Sequence, residues 1–170
     1  MYSIAFTGHR PNKLGHDYNL VSPQVKAIRD AIVKVLNEQR EQHSEIKTIV
    51  GGALGIDTLA AIISIEMKIP YTLAIPCLNQ DIRWIDSSRN LYRYIREHAL
   101  CTPYQVYDGE YNDTCMQERN EWMVNNCDLL ISVWDGTSGG TANCCRYAIG
   151  LKKPRINIHP KTLKVAKYNV

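Results

Sequence analysis

The sequence predicts an α/β protein, a three-layer Rossmann-like domain in which a mostly parallel sheet is flanked by helices. Short apolar runs alternate along the chain with longer segments whose apolar residues recur at helical spacing. Each short run is continuously apolar, which indicates strands buried on both faces, as in a parallel sheet covered by helices. The 170 residues suffice for one compact core. We assign residues 1–160 to this single domain and residues 161–170 to a loose C-terminal tail.

The predicted elements alternate in order from the N-terminus. Six apolar runs are read as strands, and they span residues 2–7, 46–50, 71–75, 104–107, 129–134 and 155–158. The first helix is predicted from Ser22, which can cap it, to near His43, and Pro70 ends the second, which begins at Ile56. The remaining helical segments are residues 80–99 (one broken or two short helices), 114–126 and 142–151.

The bulk composition narrows the class of protein. No apolar run approaches the roughly 20 residues of a membrane span, and the first ten residues lack the layout of a secretory signal, so we expect a cytoplasmic protein without a membrane partner. The six cysteines form no CxxC pair, which favours reduced thiols and argues against a zinc site. A net charge of +3 permits anionic ligands but is too small to argue for duplex DNA. We expect neither a metal nor a cofactor.

Three strand-to-helix loops have the residue types of a ligand site. They are residues 7–11 (TGHRP), 51–57 (GGALGID) and 136–141 (GTSGGT). In an open parallel sheet, ligands bind beyond the carboxyl ends of the strands, where backbone amides and helix N-termini point into a common crevice. The chain has neither GxGxxG nor GxxxxGK[ST], which disfavours an ordinary dinucleotide fold and a P-loop NTPase.

Several side chains on or near these loops could recognise a phosphorylated ligand. Arg10 could pair with a phosphate through its planar guanidinium, or be an ordinary surface arginine. Asp57, at the start of a helix, could contact a ribose hydroxyl or simply cap the helix. Trp134 could stack on a base or belong to the core. The full set of candidate ligand-binding residues is Gly8, His9, Arg10, Gly51, Gly52, Ala53, Asp57, Arg119, Asn120, Trp134, Gly139, Gly140 and Thr141.

Taken together, the three loops resemble the SLOG superfamily, and especially its YspA/YpsA-related branch. TGHRP at 7–11, GGALGIDTLAA at 51–61, and ERNEWMVNNCDLLISVWDG followed by SGGT at 118–141 are similar to the signatures of that branch in order and spacing. The superfamily includes the Lonely Guy phosphoribohydrolases, the DNA processing protein A, which binds single-stranded DNA, and domains that recognise ADP-ribose-derived nucleotides. The resemblance implies a Rossmann-like fold with a nucleotide or nucleotide-sugar site across these loops.

The resemblance also indicates which catalytic group is absent. The phosphoribohydrolases carry the helix motif M-x-x-R-K, which Met116 and Arg119 match, whereas Asn120 replaces the lysine. Their P-G-G-x-G-T-x-x-E motif ends in the catalytic glutamate, and Cys144 stands at that position here. A carboxylate beside the ribose stabilises the oxocarbenium-like transition state of N-glycosidic cleavage, and an ordinary cysteine does not supply that charge.

Three functions follow from these residues and this resemblance. We expect a protein that binds a nucleotide or nucleotide sugar, of the ADP-ribose or nucleoside-phosphate type, as a sensor or sequestering protein without catalysis. The first alternative is a hydrolase of an N-glycosidic or nucleotide-sugar bond, in which Asp57, Glu118 or Arg119 would take a catalytic role. The second alternative, a binder of single-stranded nucleic acid, is the least favoured and would use the aromatic and basic residues of the segment 83–96.

Self-association is the remaining expectation. Members of the superfamily commonly pair, which implies a homo-oligomer. The aromatic segment 84–94 is the candidate interface.

Overall fold

The computed structural model describes residues 1–14 and 19–170, and within them the elements alternate as predicted. The strands are β1 (Tyr2–Gly8), β2 (Ile46–Val50), β3 (Tyr71–Ile75), β4 (Cys101–Gln105), β5 (Leu129–Val133), β6 (Arg155–Ile158) and β7 (Val165–Tyr168). The helices are α1 (Pro23–Gln42), α2 (Ile56–Glu66), α3 (Asp86–Glu97), α4 (Cys115–Asn125) and α5 (Gly140–Gly150). A short 3-10 helix spans Pro11–Lys13.

The seven strands form one sheet in the order β4-β3-β2-β1-β5-β6-β7. Every neighbouring pair is parallel except β6 and β7. The chain proceeds outward from β1 to β4 and then returns to the other side of β1 with β5, so the strand order reverses between β1 and β5. A crevice opens beyond the carboxyl ends of the strands at such a reversal, and this is where open α/β sheets bind ligands. The predicted α/β Rossmann-like fold is confirmed.

The two faces of the sheet carry two separate hydrophobic cores. The larger core packs α1, α2 and α3 against residues such as Ile4, Phe6 and Ile131. The smaller core packs α4 and α5 against Ala5, Ile49 and other residues of the opposite face. Because successive residues of a strand point to opposite faces, the continuous apolar runs supply both cores at once, which gives the three layers.

The chain around α3 and β4 differs in detail from the sequence-based expectation. The strand predicted at 104–107 begins three residues earlier and ends two residues earlier, at Cys101–Gln105, and its register is set by pairs such as Tyr71 with Cys101. The segment 80–99 contains one helix, α3, preceded by turns in which Ile82 and Trp84 donate backbone hydrogen bonds to residues three positions earlier. No helix in the described part of the chain has the length and apolarity needed to cross a membrane.

The prediction that residues 161–170 form a loose tail is wrong for the middle of that segment. Residues 165–168 form β7, which pairs antiparallel with β6 from Ile158↔Val165 to Arg155↔Tyr168. The guanidinium of Arg155 lies 4.6 Å from the centre of the Tyr168 ring, and Lys167 forms a 2.9 Å ion pair with Glu38 of α1. These contacts hold the C-terminal residues against the sheet.

Strand β4 is an edge of the sheet, and Pro103 lies at its centre. The backbone N–H of Val106 donates to the carbonyl of Ile75, and Leu73 is paired with Pro103. In this parallel register the N–H groups that point toward β3 belong to the even-numbered residues of β4. The nitrogen of Pro103 therefore faces away from the sheet, where it costs no ladder hydrogen bond.

Candidate functional site

The three predicted loops meet at the carboxyl end of the sheet around a cavity of about 250 Å³. Ten of the thirteen candidate ligand-binding residues line it, and they are Gly8, His9, Arg10, Ala53, Asp57, Arg119, Asn120, Gly139, Gly140 and Thr141. They come from the end of β1, the start of α2, the middle of α4 and the start of α5. The structure thus brings together residues that lie up to 133 positions apart in the chain, between Gly8 and Thr141.

His9 connects the first loop to the last. Its side chain is buried, and Nε2 lies 2.8 Å from Oδ1 of Asp135 and 3.3 Å from the backbone nitrogen of the same residue. A carboxylate only accepts hydrogen bonds, so the shorter contact places a proton on Nε2. The hydrogen bonds from Thr137, together with that of His9, hold the pKa of Asp135 well below its usual range. Asp135 is therefore a carboxylate at neutral pH, already engaged by protein groups.

Asp57 and Arg119 form a buried pair in the wall of the cavity. Nη1 of Arg119 lies 3.5 Å from Oδ2 of Asp57, and the two side chains are 5% and 9% exposed. The same Nη1 donates to the carbonyl of Gly51, and Nε donates to Oδ1 of Asn120 at 3.0 Å. Burial raises the pKa of the Asp57 carboxyl, against the opposing attraction of Arg119. Arg119 is thus held by protein acceptors on several sides.

The loop after β2 is packed against other parts of the protein. Gly51 and Gly52 do not line the cavity. A Cβ at Gly51 would overlap the guanidinium of Arg119, and one at Gly52 would lie 2.8 Å from Leu73. The backbone N–H of Ala53 donates to Asp57 at 3.3 Å, and that of Ile56 donates to the carbonyl of His9 at 3.2 Å. These glycines permit close packing.

The loop before α5 is exposed and held in a fixed shape. The indole N–H of Trp134 donates to the carbonyl of Thr137 at 2.7 Å, so Trp134 supports the loop from outside the cavity. Oδ1 of Asp135 accepts from the backbone N–H and the hydroxyl of Thr137, at 3.0 and 2.7 Å. Gly139, with φ of +140°, then turns the chain into α5. The loop is therefore shaped by its own contacts before any ligand binds.

The N-terminus of α5 lies at the cavity. Gly140 and Thr141 line it, and nothing lies within 4 Å of where a Cβ of Gly140 would stand. The first N–H groups of a helix have no partner inside the helix. Within residues 1–14 and 19–170, the N–H groups of Gly140 and Thr141 donate to no backbone carbonyl. The N-terminus of a helix carries a partial positive charge, so this end of α5 favours an anion.

Lys13 lies beside the same helix end, and sequence reasoning missed it. Its Nζ donates to the hydroxyl of Thr137 at 3.0 Å and to the carbonyl of Ser138 at 2.9 Å. It joins exposed Arg10, and Arg119 that is paired with Asp57, as a third cation in the lining of the cavity. A cation beside the positive end of a helix dipole is unfavourable unless an anion lies between them. The sequence offers only its position, three residues after Arg10 and close to the first predicted loop.

Five more lining residues were absent from the prediction. Three of them, Thr7, Thr137 and Ser138, bring hydroxyl groups from two of the predicted loops, and the other two are Asn12 and Met116. The two loops are predicted from their glycines and charged residues, and that pattern does not predict which neighbouring hydroxyl groups line the site. Met116, which matches the first position of the M-x-x-R-K motif, also lies at the cavity.

Neither the catalytic candidate Glu118 nor Cys144 lines the cavity. The carboxylate of Glu118 is exposed and accepts from the hydroxyl of Thr114 at 2.7 Å. Cys144, at the position of the superfamily's catalytic glutamate, is fully buried in the smaller core. Burial raises the pKa of its thiol to about 12, so it is neutral at physiological pH and supplies no negative charge. In the described residues, no three His, Cys, Asp or Glu side chains are grouped to hold a metal ion.

The family follows from comparison with known proteins. The model of the YspA SLOG family matches residues 4–167. The chain belongs to the YspA SLOG family. The SPbeta prophage-derived protein YoqJ of Bacillus subtilis is 28% identical over 142 residues, which are 75% of this chain and 83% of YoqJ. This confirms the resemblance identified from the three loop motifs.

Two solved structures share the fold of this YspA SLOG protein. DNA processing protein A from Streptococcus pneumoniae superposes with a TM-score of 0.68 at 18% identity, over 96% of this chain and 52% of that one. The Helicobacter pylori protein, solved for its single-stranded DNA binding mode, superposes with a TM-score of 0.63 at 17% identity, over 92% and 64%. The chain thus spans about half of the pneumococcal protein, and at these identities the likeness extends to the fold.

Proposed function

We propose that this YspA SLOG protein binds the phosphorylated end of a nucleotide or nucleotide sugar and acts as a sensor or sequestering protein. The observation that carries the proposal is the joint presence, around one cavity, of Arg10, Lys13 and the N-terminal amides of α5, which have no backbone partner among the residues that the structure describes. The two carboxylates nearby are already engaged, Asp57 by Arg119 and Asp135 by His9 and Thr137. The cavity therefore has an excess of positive charge, which a phosphate would neutralise.

The size of the cavity favours a small ligand part. Its volume of about 250 Å³ is below the roughly 300–1,000 Å³ of pockets that enclose a drug-sized ligand. A phosphate and one ribose match this space better than a whole dinucleotide. Asn120 and Asp57 supply amide and carboxyl groups for ribose hydroxyls, and a base or second phosphate would lie toward the mouth.

Calorimetric titration tests the proposal with defined probes. We expect AMP and ribose 5-phosphate to bind and adenosine to bind far more weakly, because the phosphate supplies the charge. Arg10→Ala and Lys13→Ala should each lower the affinity for AMP by about tenfold or more, since a hydrogen bond to a charged group contributes about 1.5–3 kcal/mol. The control is Lys34→Ala, which removes an exposed lysine of α1 distant from the cavity. Equal affinity for AMP and adenosine, or unchanged affinity in both variants, would overturn the proposal.

Hydrolysis is the second candidate, and Asp57 favours it. Its carboxyl lies in the cavity wall, and burial raises its pKa, as is usual for carboxyls that transfer protons. Incubation with AMP, NAD and ADP-ribose separates the two functions. Release of free base that is lost in Asp57→Asn, while AMP still binds, would establish an enzyme. Binding of AMP without turnover supports the sensor or sequestering role.

Single-stranded nucleic acid is the third candidate, favoured by the fold shared with the two DNA processing proteins. Binding of an oligonucleotide with a steep salt dependence would support it. We also propose a cytoplasmic location, which the six free cysteines support because reducing compartments keep thiols unpaired. We also propose a homo-oligomer, with the aromatic segment 84–94 as its candidate interface.

A further inference from the structure

Strand β7 forms one edge of the sheet, beside β6. The backbone N–H of His159 donates to the carbonyl of Lys164 at 2.9 Å, and these two residues continue the antiparallel register of the two strands. In an antiparallel ladder every second residue is hydrogen-bonded to its partner, so the even-numbered residues of β7 bond to β6. The N–H and C=O groups of the other two residues, Val165 and Lys167, therefore point away from the sheet.

These outward backbone groups are open to a further strand. Among residues 1–14 and 19–170, no group of another element accepts from the N–H of Val165 or Lys167. The opposite edge of the sheet differs, because Pro103 interrupts the row of donors along β4. Free donors and acceptors along an edge are the groups with which an incoming strand pairs. Of the two edges, β7 is thus the one that can accept a strand.

The surroundings of β7 are basic. Residues 136–170 contain seven lysines and arginines and no aspartate or glutamate, and all 17 acidic residues of the chain precede them. Lys161 and Lys164 are exposed in the turn that leads into β7, and the guanidinium of Arg155 lies over the ring of Tyr168. In the part of the chain that the structure describes, none of these three cations is in an ion pair.

The two sides of β7 differ in charge. Glu38 of α1 forms the ion pair with Lys167 on the side of the sheet that α1 covers. The outer surface of α1 around Glu38 carries both signs, in Asp30, Lys34 and Glu41. Because side chains alternate along a strand, Lys164 and Tyr168 lie on the opposite side, which faces α5. Asp128 precedes β5, two strands away. The α5 side of β7 is therefore the basic side.

We propose that the edge of β7 is a docking site for an extended acidic segment of a partner protein, which adds a strand to the sheet. Main-chain hydrogen bonds to Val165 and Lys167 give the affinity. Carboxylates on the α5 side of the added strand meet Lys164 and Arg155, and such opposite charges stabilise neighbouring strands. Val165 is 39% exposed and offers an apolar contact on the α1 side. A segment that alternates apolar and acidic residues fits this edge best.

The same features favour a polypeptide of another protein over other occupants. A phosphodiester backbone has no N–H or carbonyl groups in register with those of an edge strand, so nucleic acid would leave them unpaired. Lysines beside an edge keep identical edges apart, because two copies of this basic strand repel each other. An acidic strand is attracted by the same charges. The docking site lies outside the proposed ligand site and does not depend on it.

Peptide binding tests the docking site in the full chain. The probe is a fluorescent peptide of alternating valine and glutamate. One comparison peptide has lysine in place of glutamate, and the other is methylated at every backbone nitrogen. We expect both comparison peptides to bind at least about tenfold more weakly than the probe, because one has the wrong charge and the other lacks backbone donors. Fluorescence anisotropy measures the three affinities.

Variants of β7 separate the backbone contribution from that of charge. Val165→Pro removes an outward N–H and no bond to β6, so the chain should melt like the wild type and bind the probe at least about tenfold more weakly. Ala166→Pro is the matched variant, since it removes a bond to β6 and should lower the melting temperature. Lys161→Glu with Lys164→Glu should weaken binding of the probe by about tenfold and strengthen that of the lysine peptide. Arg83→Glu, an exposed position before α3, should bind as the wild type does.

Several outcomes would overturn the docking site. They are failure of the wild type to bind the probe, equal binding of the three peptides, and unchanged binding in Val165→Pro. Should that variant be unstable, the methylated peptide still decides the question with the wild type. Oligonucleotide binding that survives Val165→Pro but is lost in the lysine variant would assign the basic residues to nucleic acid instead. Self-association of the wild type that Val165→Pro abolishes would assign the edge to a second copy of the chain.

Discussion

Gly51 and Gly140 both lie where a strand leads into a helix, yet their surroundings differ. At Gly51 the guanidinium of Arg119 fills the space of a side chain, and the loop's neighbouring amides donate to Asp57 and to His9. At Gly140 nothing lies within 4 Å of a Cβ position, and the amides open onto the cavity. Glycine serves close packing in the first loop and access in the second. Glycine at a strand-to-helix junction can therefore be required for two different physical reasons.

The largest expected effect is the difference in the free energy of unfolding between two arginine variants, Arg119→Ala and Arg10→Ala. Arg119→Ala leaves Asp57 buried without its cation, which should lower the free energy of unfolding by about 3–5 kcal/mol. Arg10→Ala removes an exposed side chain and should change it by no more than about 0.5 kcal/mol. Urea unfolding of both variants measures the difference. Similar small losses would contradict the view that Arg119 is part of the packed loop.

A matched pair of glycine substitutions sharpens the same contrast. Gly51→Ala forces a methyl group against Arg119, and overpacking of this kind costs about 1–3 kcal/mol. Gly140→Ala meets open space at the first position of α5, so stability should stay within about 0.5 kcal/mol while AMP affinity falls as the methyl group enters the cavity. Thermal melting and AMP titration report the two effects. Loss of stability in Gly140→Ala would show that the second loop is packed as well.

The smallest expected effect concerns the two carboxyls, one beside each loop. The pKa of Asp135 is lowered, so its stabilising contribution is complete above its unfolded pKa of about 3.9 and is lost as the pH falls through the native pKa. The pKa of Asp57 is raised, so its contribution is present below about 3.9 and is lost as the pH rises through its native pKa. Carboxyl titration by NMR should find the two values on opposite sides of 3.9.

Unfolding experiments add the size of the Asp135 effect. Asp135→Asn should cost about 1 kcal/mol at pH 7, the usual net contribution of a hydrogen bond, and the cost should shrink with acidification. Asp108→Asn, in an exposed loop, serves as the control. A deficit in Asp135→Asn that is constant with pH would mean that the charge of Asp135 does not hold the second loop.

Most of the fold could be predicted because burial on both faces makes parallel strands continuously apolar. Residues 46–50, 71–75 and 155–158 are strands at the predicted positions. Strand β4 lacks that signal, since Thr102, Pro103 and Tyr104 are exposed, and only its pairing with β3 sets its position. Strand β7 is one antiparallel partner at the edge, with mostly exposed residues, and its pairing with β6 has no local sequence signature.

The sequence predicts the site as a set of converging loops, but it does not predict the structural role of each side chain. The alternation of strands and helices predicts a parallel sheet with all these loops at one edge, and the observed strand order brings them together. Lys13 reaches Thr137 and Ser138, more than 120 positions away, and such a contact is not visible in local sequence. Trp134 and Gly51 lie next to the cavity without lining it, and their contacts are with the protein itself, which local sequence does not reveal.

Pro103 has a consequence for how the protein behaves at high concentration. Its ring stands where the edge strand would otherwise present a backbone N–H to a strand from another molecule. A strand from another molecule that aligned with β4 would find a gap in the row of donors and the bulk of the pyrrolidine in its path. The sheet is thereby protected against growth into fibrils along this border, whatever the molecule binds at its other surfaces.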